Sequence, residues 1–278
     1  MMYRFFIFFL LYYSAIFAQE ANEFKLTEDS LKIYGNIILN GNSDEEKTLA
    51  NKNFLTLLEK TINNPASFEY PFDSVVMLMK LKADNNSFRL YNWNMPKSDG
   101  TFEYFGFIQT YNKKKKRIMV YKLQDKKSEM RIPENTTGDN YKWYGCLYYK
   151  LIEVTNKKNT YYTLLGWDGN DKTSNKKLIE TLSFSNNGFP RFGLPVLMYE
   201  KEKKQKKRII FEYNEMAVMS LRWEPGMNMI IFNHLSPPDS RFTGQYQYYG
   251  PDETFDGFEL KKGKWIYQPA IDVRQERK

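Results

Sequence analysis

The chain has 278 residues, of which 42% are hydrophobic, 17% aromatic and 27% charged, and its formal net charge is +8. This length and apolar content suffice for one large folded domain or two small ones, and they exclude an intrinsically disordered chain. One cysteine and one histidine exclude a disulfide framework and a cysteine-based zinc site. Few residues are therefore available for catalysis by histidine or cysteine.

The first eighteen residues have the pattern of a secretory signal peptide. Arg4 supplies a positive charge, residues 5–17 are almost entirely apolar, and Ala18 precedes the polar pair Gln19-Glu20. A basic start, a short apolar segment and a small residue are typical of an export signal, and this segment is too short to span a bilayer. We expect cleavage after Ala18 and a soluble mature protein, either periplasmic or secreted.

Residues 19–66 predict a hairpin of two helices. Thr27 is a suitable cap for a first helix over residues 28–40. Ser43 and Glu46 form a capping-box pattern that predicts the start of a second helix. Apolar residues then recur at helical spacing and predict the buried stripe of this helix: Ala50, Phe54, Leu57, Leu58 and Ile62.

Residues 67–278 predict an antiparallel β domain. About a dozen short aromatic and β-branched runs alternate with polar turns in this part of the chain. Ile209, Phe211 and Tyr213 alternate with more polar residues and are expected on one face of a strand. The predicted fold class is mainly β, an antiparallel β-sandwich or barrel with an N-terminal helical hairpin. A propeller is the alternative.

The basic excess lies in two short runs, Lys113–Arg117 and Lys201–Arg208. Each run has a net charge of +5, so the remainder of the chain is slightly acidic. Both lie between strand-like segments, which predicts two solvated hairpin tips. A peripheral contact with an anionic surface is the sharper alternative. Nucleic acid is not an expected partner, because no recognition motif accompanies the charge.

Five blocks of residues occur in an order and spacing that resemble a known family. These blocks are Tyr70–Ser74, Tyr104–Gln109, Leu165–Asp171, Gly250–Asp252 and Gly263–Tyr267. Together they resemble a family of uncharacterised exported proteins from Bacteroidetes-type bacteria, over about residue 45 to the C-terminus. The resemblance implies export and brings no activity or site residues.

His234 is the one imidazole that a catalytic triad could use, and Ser236, Asp239 and Ser240 follow it closely. The chain has no Gly-x-Ser-x-Gly elbow to hold a nucleophilic serine. We therefore interpret His234 as a strand-end residue that is hydrogen-bonded to its own loop, and we predict no catalytic residue.

The segment from Trp167 to Thr173 contains Asp168, Asn170 and Asp171. Closely spaced oxygen atoms of this kind suit Ca²⁺, which makes the segment the best candidate for a metal site. The same residues are also typical of a tight turn, and we favour the turn. No other cofactor is expected, and Trp167 with the three polar residues remains a candidate ligand-binding set.

A second candidate set consists of Asp252 and Asp256, with Glu253 between them. Carboxylates beside aromatic rings suit sugar binding, and a facing pair of them could hydrolyse a glycosidic bond. An aromatic-rich sheet accounts for the same pattern. The aromatic neighbours in sequence are Tyr246, Tyr248, Tyr249 and Phe255.

Two functions follow from these observations. The first is an exported binding or envelope-assembly protein without enzymatic activity, whose partner is an envelope component or glycan. The second is a carboxylate-dependent hydrolase that acts on envelope polysaccharide. The scarcity of catalytic residue types favours the first.

Overall fold

The structure is a computed structural model that describes residues 22–112, 117–157, 159–199 and 205–273. The predicted signal peptide at residues 1–18 lies outside this part of the chain. The described residues divide into two compact units, the first formed by residues 22–78, 111–112 and 117–120 and the second by residues 79–110 and the described residues from 121 to 273. Within the described ranges, no helix is both long enough and apolar enough to cross a membrane.

The first unit contains the predicted helical hairpin, formed by α1 (residues 22–40) and α2 (Asp44–Ile62). The predicted cap of α2 is confirmed, because the side chain of Ser43 accepts a hydrogen bond from the backbone N–H of Glu46. The predicted stripe of α2 is buried except for Leu57, which is half-buried.

The predicted start of α1 is wrong, since the helix already includes residues 22–27. Tertiary contacts explain the longer helix. Phe24 is buried and its ring stacks on Tyr70, with 5.1 Å between centroids. Glu28 accepts hydrogen bonds from the Tyr70 hydroxyl and the Ser74 backbone. These contacts stabilise the helical turn that precedes Thr27, so the helix does not begin at that residue.

Fourteen strands lie in the described residues and form three open sheets, so the prediction of a mainly β fold is confirmed. The strand bounds are β1 Met79–Lys82, β2 Phe88–Pro96, β3 Phe102–Asn112, β4 Arg117–Leu123, β5 Leu147–Asn156, β6 Asn159–Asp168, β7 Ser174–Phe184, β8 Pro190–Phe192, β9 Leu197–Met198, β10 Arg208–Asn214, β11 Leu221–Glu224, β12 Met229–Ser236, β13 Gly250–Lys261 and β14 Lys264–Gln268. The first sheet has the order β1-β2-β3-β4, the middle sheet β10-β7-β6-β5 with β8 beside β7, and the third β11-β12-β13-β14-β9. Neighbouring strands such as β5 with β6 and β12 with β13 pair antiparallel, whereas β14 and β9 pair in parallel.

One face of the middle sheet packs on the third sheet, which is the arrangement of a β-sandwich. The predicted face of β10 is confirmed, because Ile209, Phe211 and Tyr213 all lie in this core. The ring of Phe211 meets that of Phe232 at 4.5 Å between centroids. Burial of the apolar side chains in this core is the main contribution to the stability of the second unit. Other members are Ile152, Val154, Tyr161, Leu165, Ile179, Leu197, Met219, Leu221, Ile230, Phe258 and Trp265.

The opposite face of the middle sheet packs on the first sheet. Phe88 of β2 meets Tyr162 of β6 edge to face at 4.7 Å between centroids. Asn92 of β2 accepts a hydrogen bond from the backbone of Tyr148 on β5, at 2.7 Å. The middle sheet is therefore covered on both faces, and polar side chains that point into its layers need protein partners.

Arg208 and Glu180 form a fully buried ion pair between β10 and β7. The hydroxyl of Tyr148 donates to the second oxygen of Glu180, and Trp143 donates its indole N–H to that hydroxyl at 3.1 Å. The guanidinium of Arg208 also donates to the carbonyl of Pro133. Removal of either Arg208 or Glu180 would leave the other charge buried without a counter-ion.

Candidate functional site

The loop after β6 holds its aspartates in structural roles. Asp168 is 1% exposed, and it accepts hydrogen bonds from the ammonium of Lys127 at 2.9 Å and the hydroxyl of Tyr144 at 3.2 Å. Burial raises the pKa of Tyr144 and the charge of Asp168 adds to it, so the hydroxyl stays protonated and donates. Trp167 packs edge to face on Phe102, with 5.3 Å between centroids.

The rest of this loop is a hydrogen-bonded turn. Asn170 has a φ of 44°, a left-handed conformation that asparagine tolerates. One carboxylate oxygen of Asp171 accepts from the backbone N–H groups of Thr173 and Ser174. The oxygens that the calcium hypothesis needs are thus hydrogen-bond acceptors in the protein. No group of three or more His, Cys, Asp or Glu residues in the described ranges is arranged to hold a metal ion.

The structure brings Asp252 and Asp256 together around His234. Nδ1 of His234 lies 2.7 Å from the carboxylate of Asp256, and Nε2 lies 3.9 Å from that of Asp252. Both carboxylates come from β13, the strand that pairs with β12, so His234 has partners beyond its own loop. The imidazole is 46% exposed, so it faces solvent as well as the two acids.

Asp256 is anchored in the protein. It is 4% exposed, and its carboxylate accepts from the hydroxyl of Tyr267 at 2.8 Å and the backbone N–H of Ala270 at 3.0 Å. With His234 on the same carboxylate, both oxygens have partners. This geometry suits a residue that orients the imidazole and does not suit an acid that attacks a substrate.

A bulge in β13 carries Asp252 towards the imidazole. Asn233 pairs with Phe255 and Leu235 pairs with Pro251, so three residues of β13 lie opposite His234 alone. Glu253, in the middle of the bulge, has a φ of 72°, which is uncommon for a residue with a side chain. Bulges of this kind often redirect a side chain beside a functional site.

Partial burial opposes ionisation of Asp252, but other contacts outweigh it. The backbone and hydroxyl of Thr254 both donate to the carboxylate, and the charge of His234 acts in the same direction. Together they lower the pKa of Asp252 below its ordinary value. This carboxyl is therefore ionised near neutral pH and lies beside the imidazole.

A polar groove in the second unit is a site that sequence reasoning missed. Its cavity has a volume of about 400 Å³. Two of its lining residues are exposed aromatics, Tyr141 at 66% and Phe189 at 50%. The other lining residues are mostly polar: Asp139, Asn140, Ser185, Asn186, Asn187, Pro190 and Arg191.

Two turns form the walls of this groove. In the first, the carboxylate of Asp139 accepts from the backbone of Tyr141 at 2.8 Å. In the second, the backbone of Ser185 donates to the carbonyl of Phe189 at 2.9 Å. A pair of backbone hydrogen bonds between Gly138 and Phe192 joins the two segments. The groove is thus formed before any ligand binds.

Most of the two basic runs lies outside the described residues, at 113–116 and 201–204. The prediction for Arg208 as a surface residue is wrong, because it is fully buried against Glu180. The second run joins β9 to β10, and its flanking residues Leu197 and Lys206 form an antiparallel bridge, as at the base of a hairpin. Lys207 is half-buried, and its ammonium donates a hydrogen bond to the hydroxyl of Thr137 in a neighbouring loop at 2.7 Å.

Comparison with known proteins identifies no relative. No family model matches the chain. No curated protein and no solved structure matches it either. The function must therefore be inferred from the geometry of this molecule.

The residues that sequence reasoning selected fall in two places. Trp167 and Asp168 end β6 of the middle sheet and Asn170 and Asp171 lie in the turn after it, while Asp252 and Asp256 lie on β13 of the third sheet. The groove was missed because its walls come from distant segments. The available signal was an aromatic residue in each of two polar turns, Asp139-Asn140-Tyr141 and Asn186-Asn187-Gly188-Phe189.

Proposed function

We propose that this protein is a non-enzymatic binding protein for a hydroxyl-rich glycan, which it holds in the groove between the 139–141 and 185–191 turns. The observation that carries this proposal is the presence of two exposed aromatic rings, Tyr141 and Phe189, on one polar cavity. Its volume of about 400 Å³ falls in the range of small-molecule sites, about 300–1,000 Å³.

The chemistry of the lining residues matches that of a sugar. The C–H faces of a pyranose ring are apolar and pack on aromatic rings, which offer a large and rigid surface. The hydroxyl groups need both donors and acceptors, and an asparagine amide supplies both. Asn186 and Asn187 are exposed on the groove, as is the guanidinium-bearing Arg191.

The position of Phe189 supports a preformed platform. Its ring contacts that of Tyr121, with 5.7 Å between centroids. Gly188 has a positive φ of 84°, which glycine adopts without a steric penalty. Its N–H donates to the carbonyl of Ser185 at 2.8 Å and closes the turn that precedes Phe189. A ring that is already held in place loses less entropy when a ligand binds.

Binding fits this groove better than hydrolysis. Among the described residues that line it, Asp139 is the single carboxylate. Glycoside hydrolysis ordinarily requires two carboxyl groups about 5–9.5 Å apart. The export predicted from residues 1–18, and the resemblance to exported proteins, support a glycan of the cell envelope as the ligand.

The experiment is a screen of the full chain on an array of immobilised neutral oligosaccharides, followed by calorimetry with the best of them. We expect Tyr141→Ala and Phe189→Ala each to weaken binding about tenfold or more, as for buried aromatic anchors. Tyr246→Ala is the matched control, because Tyr246 is 47% exposed but does not line the groove.

Melting temperatures of all three variants should stay close to that of the parent protein. Binding that is unchanged in Tyr141→Ala and Phe189→Ala, or that is lost equally in Tyr246→Ala, would contradict the proposed site. Turnover of the oligosaccharide during the assay would contradict a non-enzymatic role.

A further inference from the structure

Lys127 and Asp168 form an ion pair that joins two segments far apart in the chain. Lys127 begins a short 3₁₀ turn after β4, and Asp168 is the last residue of β6. Nζ of the lysine lies 2.9 Å from Oδ1 of the aspartate, whose side chain is 1% exposed. The lysine side chain is 26% exposed, so the pair is largely withdrawn from water. Charges in such a place lose much of the hydration that stabilises them elsewhere.

The surroundings of this pair are aromatic and acidic. Nζ of Lys127 lies 4.5 Å from the ring centroid of the buried Tyr104, which covers one side of the amine. A second carboxyl, that of Asp125, accepts from the backbone N–H groups of Lys127 and Gly145, each at 3.0 Å. Burial raises the pKa of Asp125, and the charge of Asp168 acts in the same direction. Low polarity of this kind brings a neutral amine and a neutral carboxylic acid within reach of the charged pair.

Two further donors fix the carboxyl group of Asp168. The backbone N–H of Asn170 donates to Oδ1 at 3.0 Å, and the hydroxyl of Tyr144 donates to Oδ2 at 3.2 Å. The flexible four-carbon stem of a lysine lets Nζ move from Oδ1 to the face of this fixed carboxyl. Reacting groups that are held together in this way can reach effective concentrations of about 10⁵–10⁸ M.

We propose that Nζ of Lys127 and Cγ of Asp168 become joined by an amide bond in the folded protein. A proton passes from the ammonium to Oδ1, and the lone pair of the resulting amine forms the bond to Cγ. Oδ1 then takes a second proton from the nitrogen and leaves as water with the electrons of its bond to Cγ. Oδ2 becomes the amide oxygen, and the hydroxyl of Tyr144 stabilises its negative charge in the tetrahedral intermediate. One ammonium and one carboxylate thus give one amide and one water, without another reagent.

The bond closes the chain between residues 127 and 168. A covalent link across a long loop stabilises a protein chiefly by restricting the unfolded chain. Because the chain has one cysteine, an intramolecular disulfide cannot supply such a link. The amide therefore gives this fold a covalent constraint that its cysteine content excludes.

The test is mass spectrometry of the full chain after denaturation, with Lys127→Arg as the reference. Arginine keeps the charge, but its guanidinium stays protonated and has no lone pair for attack. We expect the parent protein to be lighter than the variant by one water in addition to the difference between the two side chains. The comparison does not depend on where either mature chain begins.

A tryptic digest then locates the bond. Trypsin cannot cleave after an acylated Lys127, so we expect one branched peptide that contains residues 127–131 and 159–172. Lys126 is the matched control, because its ammonium lies 2.5 Å from Glu129 in an exposed ion pair. It should remain free, since proximity without burial does not favour the neutral amine.

Variants of the partners test the chemistry. Asp168→Ala should abolish the loss of water. Tyr144→Phe should slow bond formation about tenfold or more, as for removal of a donor to a developing negative charge. The bonded fraction is measured over time after cell-free synthesis, and an unchanged rate in Tyr144→Phe would contradict the role of its hydroxyl.

The proposal is overturned if the parent and Lys127→Arg differ in mass by their side chains alone, because the contact is then an ion pair only. It is also overturned if the water is lost from a linear peptide of residues 159–172, which identifies a succinimide at Asp168-Gly169. Both results are independent of glycan binding, since neither Lys127 nor Asp168 lines the groove.

Discussion

Asp168 and Asp252 both lie where a strand ends or is interrupted, yet their surroundings differ sharply. Asp168 is 1% exposed and bonds to Lys127 and Tyr144, whereas Asp252 is 33% exposed, accepts hydrogen bonds from Thr254 and lies 3.9 Å from Nε2 of His234. The sequence pattern around them is similar, with aspartates, a turn residue and nearby aromatics. Burial, and not residue type, separates an aspartate that stabilises the fold from one that is available to a ligand.

Replacement of Asp168 gives the largest expected effect. Asp168→Ala removes the acceptor for Lys127 and Tyr144, which leaves the buried hydroxyl of Tyr144 and the half-buried ammonium of Lys127 without this acceptor. We expect a loss of about 2–4 kcal/mol in the free energy of unfolding, because buried polar groups without partners are costly. Urea denaturation measures it, and a loss below about 1 kcal/mol would show that the loop is not structural.

Replacement of Tyr144, a partner of Asp168, should have a smaller effect. Tyr144→Phe keeps the buried ring and removes only the hydroxyl that donates to Asp168 at 3.2 Å. We expect a loss of about 1 kcal/mol, the usual contribution of one hydrogen bond. The double variant with Asp168→Ala should lose less than the sum of the two single losses, and additive losses would contradict the contact.

The turn at Asp171 predicts a dependence of stability on pH. Partial burial opposes ionisation, but hydrogen bonds from Thr173 and Ser174 outweigh it and hold the pKa of Asp171 below its ordinary value of 3.8. A lowered pKa in the folded state stabilises the protein above pH 3.8, and this contribution disappears as the pH falls through the folded value. Asp171→Asn should therefore flatten the stability profile below about pH 4, whereas an unchanged profile would contradict the turn.

The smallest effect is expected at the bulge. Asp252→Ala removes a carboxylate that is one-third exposed and whose hydrogen-bond donors, the backbone and hydroxyl of Thr254, can turn to water. We expect a change within about 0.5 kcal/mol, as for most surface substitutions. A loss comparable to that of Asp168→Ala would remove the distinction between the two regions.

The sequence was most informative where structure depends on neighbours in the chain. The cap at Ser43 and the alternation through Ile209, Phe211 and Tyr213 are local patterns, and both are confirmed. The start of α1 was missed because it depends on Tyr70, far along the chain. Long-range packing can override a local cap signal in this way.

The candidate sites were less predictable for the same reason. Nothing near His234 in sequence indicates that its partner is Asp256, which the pairing of β12 with β13 places beside it. The groove requires the 139–141 and 185–191 turns to meet. The spacing of residues within one segment does not indicate which distant segments become neighbours. These sites are therefore visible only in the folded structure.

The buried pair of Arg208 and Glu180 has a consequence for how β10 aligns on β7. The two residues lie directly opposite each other in the ladder. A slip of β10 by one position would turn Arg208 to the other face of the sheet and leave the buried carboxylate of Glu180 without its counter-ion. This buried pair therefore favours the observed register of β10 on β7, because a shifted register separates the two charges.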